Sequence, residues 1–173
     1  RAAGFCGGAK KRPRGGVWEY NSCDYLVLGA VLEAVTGLPY GRLVDQRIAR
    51  PLGLRSLRLA PDSATRGGAA AVGYDGAARV AAVNVATGGA SHALTGSARD
   101  LAEFDRALMA GRLLSPQARA TAWEGDPQLG FMALGVWSFP ARLDGCAAPV
   151  QIVERRGDFA GTQVRNIIAP ELR

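Results

Sequence analysis

The sequence predicts an α+β chain, with a helical part followed by antiparallel strands. Three observations carry this. Between Tyr25 and Val35 only Glu33 is charged, a run that reads as a core helix. Leu101, Phe104 and Leu108 recur at i, i+3 and i+7, the stripe of a second long helix. After Phe131 the period shortens to β-type runs broken by Gly, Pro and Asp. With 173 residues, 48% of them hydrophobic, the chain is long enough to bury a core, and its length fits one domain, or one large part of a bigger one, over 1–173.

Residues 1–17 read as loop, because Gly4, Gly7, Gly8, Gly15 and Gly16 disfavour any regular element. A polar and aromatic cluster from Trp18 then runs into the first helix. Asn21 or Ser22 can cap its orphan amides, Asp24 suits the positive end of its dipole, and Thr36-Gly37 before Pro39 gives a left-handed stop. A bilayer span needs about 20 apolar residues, so this shorter run is assigned to a protein core. Pro39 opens a second helix, with Tyr40, Leu43, Val44 and Ile48 on one face, and Pro51 is expected to end it. The Ala/Gly-rich region 59–90 supports only a turn at Asp75-Gly76 and a short strand near 79–85. Ser97 to Asp100 resembles a capping box, Gly111 closes that helix, and Ser115-Pro116 starts a short one reaching about Trp123. Runs at 131–139, 150–155 and 162–168 are the expected strands. The helical part thus occupies about 17–125 and the sheet about 128–173.

The formal charge of +6 comes with only two lysines, and the arginines are spread through every segment, which argues against a nucleic-acid-binding stripe. The basic run Lys10 to Arg14 reads as an exposed loop. Cys6, Cys23 and Cys146 are far apart, without a C-x-x-C pair and with His92 as the one histidine, so no metal site and no cofactor is expected. Sequence leaves the cysteine pairing open, although an odd count leaves at least one thiol outside an intrachain bond. Cys23 has no neighbouring histidine to activate it and reads as structural. His92 lacks a partnered Ser or Asp pattern and reads as a packed loop residue.

Tyr20-Asn21-Ser22, then Tyr25, Leu28-Gly29, Glu33, Thr36-Gly37 and Pro51-Leu52-Gly53, resembles the Tyr-x-Asn segment of the serine β-lactamase and penicillin-binding-protein superfamily, in its class C β-lactamase, DD-peptidase and esterase branch. Downstream, Gly88-Gly89 through Ser97-Ala98-Arg99-Asp100-Leu101 and Phe104, then Leu113 to Pro116, is similar to the family's later helical region. Val153 to Gly157, with Gly161 beyond, sits where the family has its Lys-Thr-Gly or His-x-Gly strand. The resemblance runs from about Trp18 onward. It implies a β-lactamase/transpeptidase-like fold, present in part, a serine hydrolase acting on an amide or ester of a small molecule or peptide through an acyl-enzyme, and a periplasmic or secreted setting.

Acyl transfer needs a nucleophile, a base, donors for the oxyanion and groups that hold the substrate. The resemblance places Tyr20 as proton shuttle and Ser22 beside it as catalytic residues, and Asn21, Arg155, Gly157 and Asp158 on the substrate side. A phenol, with a pKa of about 10, acts as a base near neutrality only beside cations. Arg155 is the cation visible for that purpose, and it can also grip a carboxylate through paired hydrogen bonds. The backbone amide of Asp158 corresponds to one oxyanion donor.

Two departures stand out. The family's third Tyr-x-Asn position is asparagine, whereas Ser22 offers a shorter hydroxyl with less to hold an amide. No serine is followed three positions later by lysine, so the family's Ser-x-x-Lys nucleophile and base are not among these residues. The expectation is that this chain is the later part of a longer protein and does not turn over substrate alone; the alternative is a non-catalytic relative that binds a peptide or peptidoglycan-like ligand. Each residue also has a local reading: Tyr20 as a staple and Ser22 as a cap, Arg155 and Arg156 as solvated edge charges, Trp18 and Trp137 as core aromatics.

Overall fold

A computed structural model of the chain describes Cys6 and residues 19–60, 71–81 and 83–172. The glycine-rich start, the Lys10 to Arg14 run and Trp18 lie outside the described residues. The chain divides into two compact units, Arg1–Ala70 with Ala82–Phe104, and Ala71–Ala81 with Asp105–Arg173. As the sequence predicted, helices are followed by antiparallel strands.

In the first unit helix α1 spans Ser22–Thr36, capped by the Asn21 side chain and stopped by Gly37 at φ 67°, whose amide donates to the Glu33 carbonyl. The Glu33 carboxylate accepts from the Tyr40 amide at 2.7 Å, which ties the end of α1 to the start of α2 (Tyr40–Val44). Burial raises the Tyr40 phenol above its ordinary pKa. The second helix does not end at Pro51. A π turn over Asp45–Ala49, in which the Arg50 amide donates to Asp45 five residues back, feeds a last turn α3 (Arg50–Leu52), and Gly53 at φ 69° stops it. Proline lacks an amide hydrogen and crowds the carbonyl four residues behind, so the wider π turn is what lets the chain stay helical through it.

Strand β1 (Arg58–Leu59) is paired much later in the chain with β4 (Leu94–Thr95), after a 3₁₀ turn at Val85–Gly88 and a short helix α4 (Gly89–His92). The strand expected near 79–85 is therefore only two residues long, and Val85 is already in the 3₁₀ turn, which Asn84 caps through its side chain. The hairpin β2 (Tyr74–Asp75) and β3 (Ala78–Arg79) turns at Gly76, as expected, but it belongs to the second unit.

Helix α5 (Ala98–Met109) begins at Ser97, whose hydroxyl accepts from the Asp100 amide at 3.2 Å. The expected box is only half made. Asp100 does not reach back to Ser97; its carboxylate accepts from the Ser56 hydroxyl, the Ser56 amide and the Leu57 amide at 2.6, 2.7 and 3.2 Å. The Ser97 amide donates instead to the Ser56 hydroxyl at 2.8 Å. A long-range loop has replaced the local partner, and these hydrogen bonds hold the Asp100 carboxyl below its ordinary pKa.

The second unit is built on the sheet β5 (Trp137–Ala141), β6 (Val150–Phe159) and β7 (Thr162–Ile168), in that order and antiparallel throughout. Val150, Ile152, Val153 and Ile168 are its buried apolar residues, with Ala107 of α5. Asn166 of β7 donates to Asp105 at 3.0 Å, and burial raises that carboxyl. The short helix α6 (Pro116–Ala122) starts at Ser115 as predicted. The run 131–139 is not one strand: Gly130 and Phe131 both have positive φ, 65° and 64°, so the backbone turns there and regular pairing begins only at Trp137.

One expectation fails on burial. Helix α1 was assigned to a core, yet Gly29 is its one fully buried residue, and Val27, Leu28, Val31, Leu32 and Val35 are exposed, Val35 by 80%. Hydropathy states what a helix can bury; a neighbouring surface decides what it does bury. Here that neighbour is small, because α1 meets α4 where Gly29 faces Ala90 with no room for a side chain.

Candidate active site

In the first unit the site residues sit at the mouth of α1. Asn21 is extended (φ −148°, ψ 117°) and its Oδ1 accepts from the Cys23 amide at 2.8 Å, so the cap is Asn21 and Ser22 is the first helical residue. Its carbonyl oxygen is thereby occupied, and the side-chain NH2 is the group that can meet a substrate. Tyr20 precedes the cap and is 58% exposed, and Ser22 is exposed as well. Cys23 is joined to Cys6 in a disulfide that spans 17 positions. This settles the pairing left open by the sequence, excludes Cys23 as a thiol nucleophile, and leaves Cys146 as the free cysteine. His92 is exposed on α4, its Nδ1 2.7 Å from the Ser91 hydroxyl.

In the second unit the remaining candidates lie along the second half of β6. Arg155, Gly157 and Asp158 face Asn166, Val164 and Gln163 across the β6–β7 ladder. Asp158 accepts from the Gln163 side chain at 3.1 Å. At Gly157 no atom lies within 4 Å of where a side chain would begin, so the backbone opens onto unoccupied space. Two open clefts of about 460 and 540 Å³ meet at Asp158 and Gln163. The first runs along Arg156 and Gly157 to Arg165, the second under the β2–β3 hairpin at Tyr74 and Asp75.

The hairpin is a component that sequence reasoning missed. The Tyr74 amide donates to the Gly161 carbonyl at 2.9 Å, and Gly73 comes so close to Ala160 that any Cβ would strike its carbonyl oxygen. The available signal was Asp75-Gly76, which announced a turn but not its partner.

Charge on β6 is organised around a second missed residue. Glu154 is 1% exposed and accepts from the guanidinium groups of Arg156 and Arg165, the latter at 2.6 Å. These charged hydrogen bonds lower its pKa to about 2, against the opposing effect of burial. Arg156 therefore has a structural partner. The Arg155 guanidinium carbon lies 5.6 Å from the centroid of the Trp137 ring.

Among the described residues no His, Cys, Asp or Glu cluster suits a metal ion. The first unit offers a phenol and a hydroxyl at a helix start; the second, described by itself, offers a guanidinium with backbone amides on a strand.

A family model described as Beta-lactamase matches residues 7–133. A curated protein of Escherichia coli (strain K12), "Putative D-alanyl-D-alanine carboxypeptidase", is 51% identical over 35 residues, which is 20% of this chain and 8% of that protein. The solved structure of a D-stereospecific amidohydrolase from Streptomyces sp. is 25% identical, with a TM-score of 0.74 over 91% of this chain and 48% of that one. A penicillin-binding protein from Bacillus halodurans has the same fold at 19% identity, with a TM-score of 0.73 over 92% of this chain and 50% of that one. The chain spans about half the length of these two structures.

Proposed function

Because the chain belongs to the Beta-lactamase family, we propose that it supplies the tyrosine and substrate-holding parts of an acyl-transfer site that hydrolyses an amide or ester through a seryl acyl-enzyme. The observation that carries the reading is the Tyr20-Asn21-Ser22 turn, fixed by the Asn21 cap at the head of α1 and inside the matched region. In this reading Tyr20 moves the proton between nucleophile and leaving group, and Ser22 hydrogen-bonds beside it. The NH2 of Asn21 approaches the substrate amide. Arg155 holds an anionic substrate group, and the open backbone at Gly157 and Asp158 admits the substrate and donates to the oxyanion. The nucleophile and its base come from a Ser-x-x-Lys in sequence outside these 173 residues. The names of two relatives both specify D-configuration, which favours an amide of a D-amino acid as substrate.

The test is covalent labelling of the longer, Ser-x-x-Lys-bearing protein with a fluorescent penicillin or a fluorophosphonate. Absence of label on folded protein removes the enzyme reading and leaves the binding protein. Tyr20→Phe should lower the acylation rate about a hundredfold, as loss of a general acid–base does, with little change in unfolding midpoint. Equal losses of both would make Tyr20 structural.

A further inference from the structure

From Tyr20 to Tyr25 every residue is exposed except Cys23, which is half-buried. Firm packing of α1 begins further on, where Leu26 lies against Gly89 and Gly29 against Ala90. The stretch that carries Tyr20 and Ser22 therefore precedes the part of the helix that the first unit buries. Helix ends fray where tertiary packing does not hold them.

Cys23 moors this stretch twice. Its sulfur is bonded to Cys6, and its amide donates to the Asn21 side chain at 2.8 Å, the bond that fixes the turn between Tyr20 and Ser22. The two ties differ in strength. A side-chain cap favours a formed helix start by about fivefold, whereas closing a loop across 17 positions favours the ordered state by about a hundredfold. Acyl transfer tolerates little slack, because displacing a reacting group by about 1 Å costs about a hundredfold in rate.

We propose that Cys6–Cys23 is a redox switch on the Tyr20 turn: closed, it holds the phenol where the acyl-transfer site needs it; open, the turn frays and acylation slows. The proposal rests on the acyl-transfer reading above. Closure is thiol–disulfide exchange with a disulfide oxidant. One cysteine thiolate attacks the oxidant and displaces its first thiolate, and the second cysteine attacks the mixed disulfide and displaces the other. The two cysteines give up two electrons and two protons, and the oxidant leaves as two thiols. Both cysteines are half-buried, so neither is sealed from an exchange partner. The site is slow where thiols are kept reduced and becomes active where disulfides form.

The test follows labelling by a fluorescent penicillin in the longer, nucleophile-bearing protein carrying Cys146→Ser, which removes the free cysteine outside the pair. After treatment with dithiothreitol and its removal, labelling should be about tenfold slower, and glutathione disulfide should restore it. Cys6→Ser should stay slow in either state. In Tyr20→Phe the redox state should no longer change the rate, because the switch acts through that phenol. Equal rates in the two redox states, or a Tyr20→Phe variant as redox-sensitive as its parent, overturn the proposal.

Should neither redox state label, the acyl-transfer reading has failed, and the 173-residue chain decides whether the disulfide controls the turn. Reduction should drop the backbone order parameters of Asn21, Ser22 and Cys23 from about 0.85 to below about 0.6, and leave those of Gly29 to Thr36 unchanged. No change at the turn refutes the control, and loss of order along the whole of α1 refutes its confinement to the site. Where Cys6→Ser does not fold, the reduced and reoxidised native pair carries the same contrast.

Discussion

Glu154→Gln should weaken the sheet of the second unit by about 2–3 kcal/mol at pH 7, and the size follows from the ion cluster. A carboxyl whose pKa falls from 4.5 to about 2 on folding is stabilised as the anion by roughly 3 kcal/mol, at about 1.4 kcal/mol per tenfold. Removing one member of a fully buried pair costs about 3–5 kcal/mol. Here the side chains of Arg156 and Arg165 are 63% and 59% exposed, so they stay hydrated when the anion goes and the lower figure applies. The sign is that of a depressed acid: the contribution is complete above pH 4.5 and is lost as pH falls through about 2. Urea unfolding, read from the amide signals of β6 and β7, should give a wild-type advantage at pH 7 that shrinks by more than half at about pH 3. A variant as stable as wild type at pH 7, or an advantage that ignores pH, would refute the cluster as a source of stability.

Four further outcomes follow from the same contacts. Gly29→Val in α1 puts a Cβ 2.5 Å from that of Ala90, and overpacking of about 1–3 kcal/mol should exceed the gain of about 0.5 kcal/mol from leaving glycine; Ala90→Gly in the same chain should recover part of the loss in a double-mutant cycle. Reducing Cys6–Cys23 reopens a loop worth about 3 kcal/mol, so amides near the start of α1 should exchange faster while those of β6 and β7 do not change. Ser56→Ala removes a hydroxyl that holds the Asp100 carboxyl low, so acid unfolding of the first unit as pH falls below about 3.8 should become less steep, measured by its pH midpoint curve. Arg156→Gln should lower the stability of β6 and β7 in unfolding assays, and Arg155→Gln should raise substrate KM in turnover assays.

The local grammar of the fold was legible because its causes are local. Gly37 and Asn21 bound α1, and Ser115 and Pro116 start α6, all through short-range sterics and hydrogen bonds. What failed depended on distant partners. Asp100 prefers the Ser56 loop to its own helix start, Pro51 is carried by a π turn, and Phe131 adopts a left-handed backbone that its identity does not announce. The apolar content of α1 was read correctly, but its burial was not, since no pattern within a helix reports the surface opposite it.

The site shows the same division, and it sharpens one assignment. From sequence, Arg155 was the candidate cation and substrate anchor, and both Arg155 and Arg156 could be read as solvated edge charges. Strand register separates them. Glu154 is buried on β6 with Arg156 two positions on and Arg165 reaching in from β7, so the charge of Arg156 answers a cost created inside the sheet. The Arg155 guanidinium carbon lies 5.6 Å from the centre of the Trp137 ring, a contact that orients a cation. The assignment of Arg155 to the substrate side is therefore narrowed by the register, which gives Arg156 its own task on Glu154.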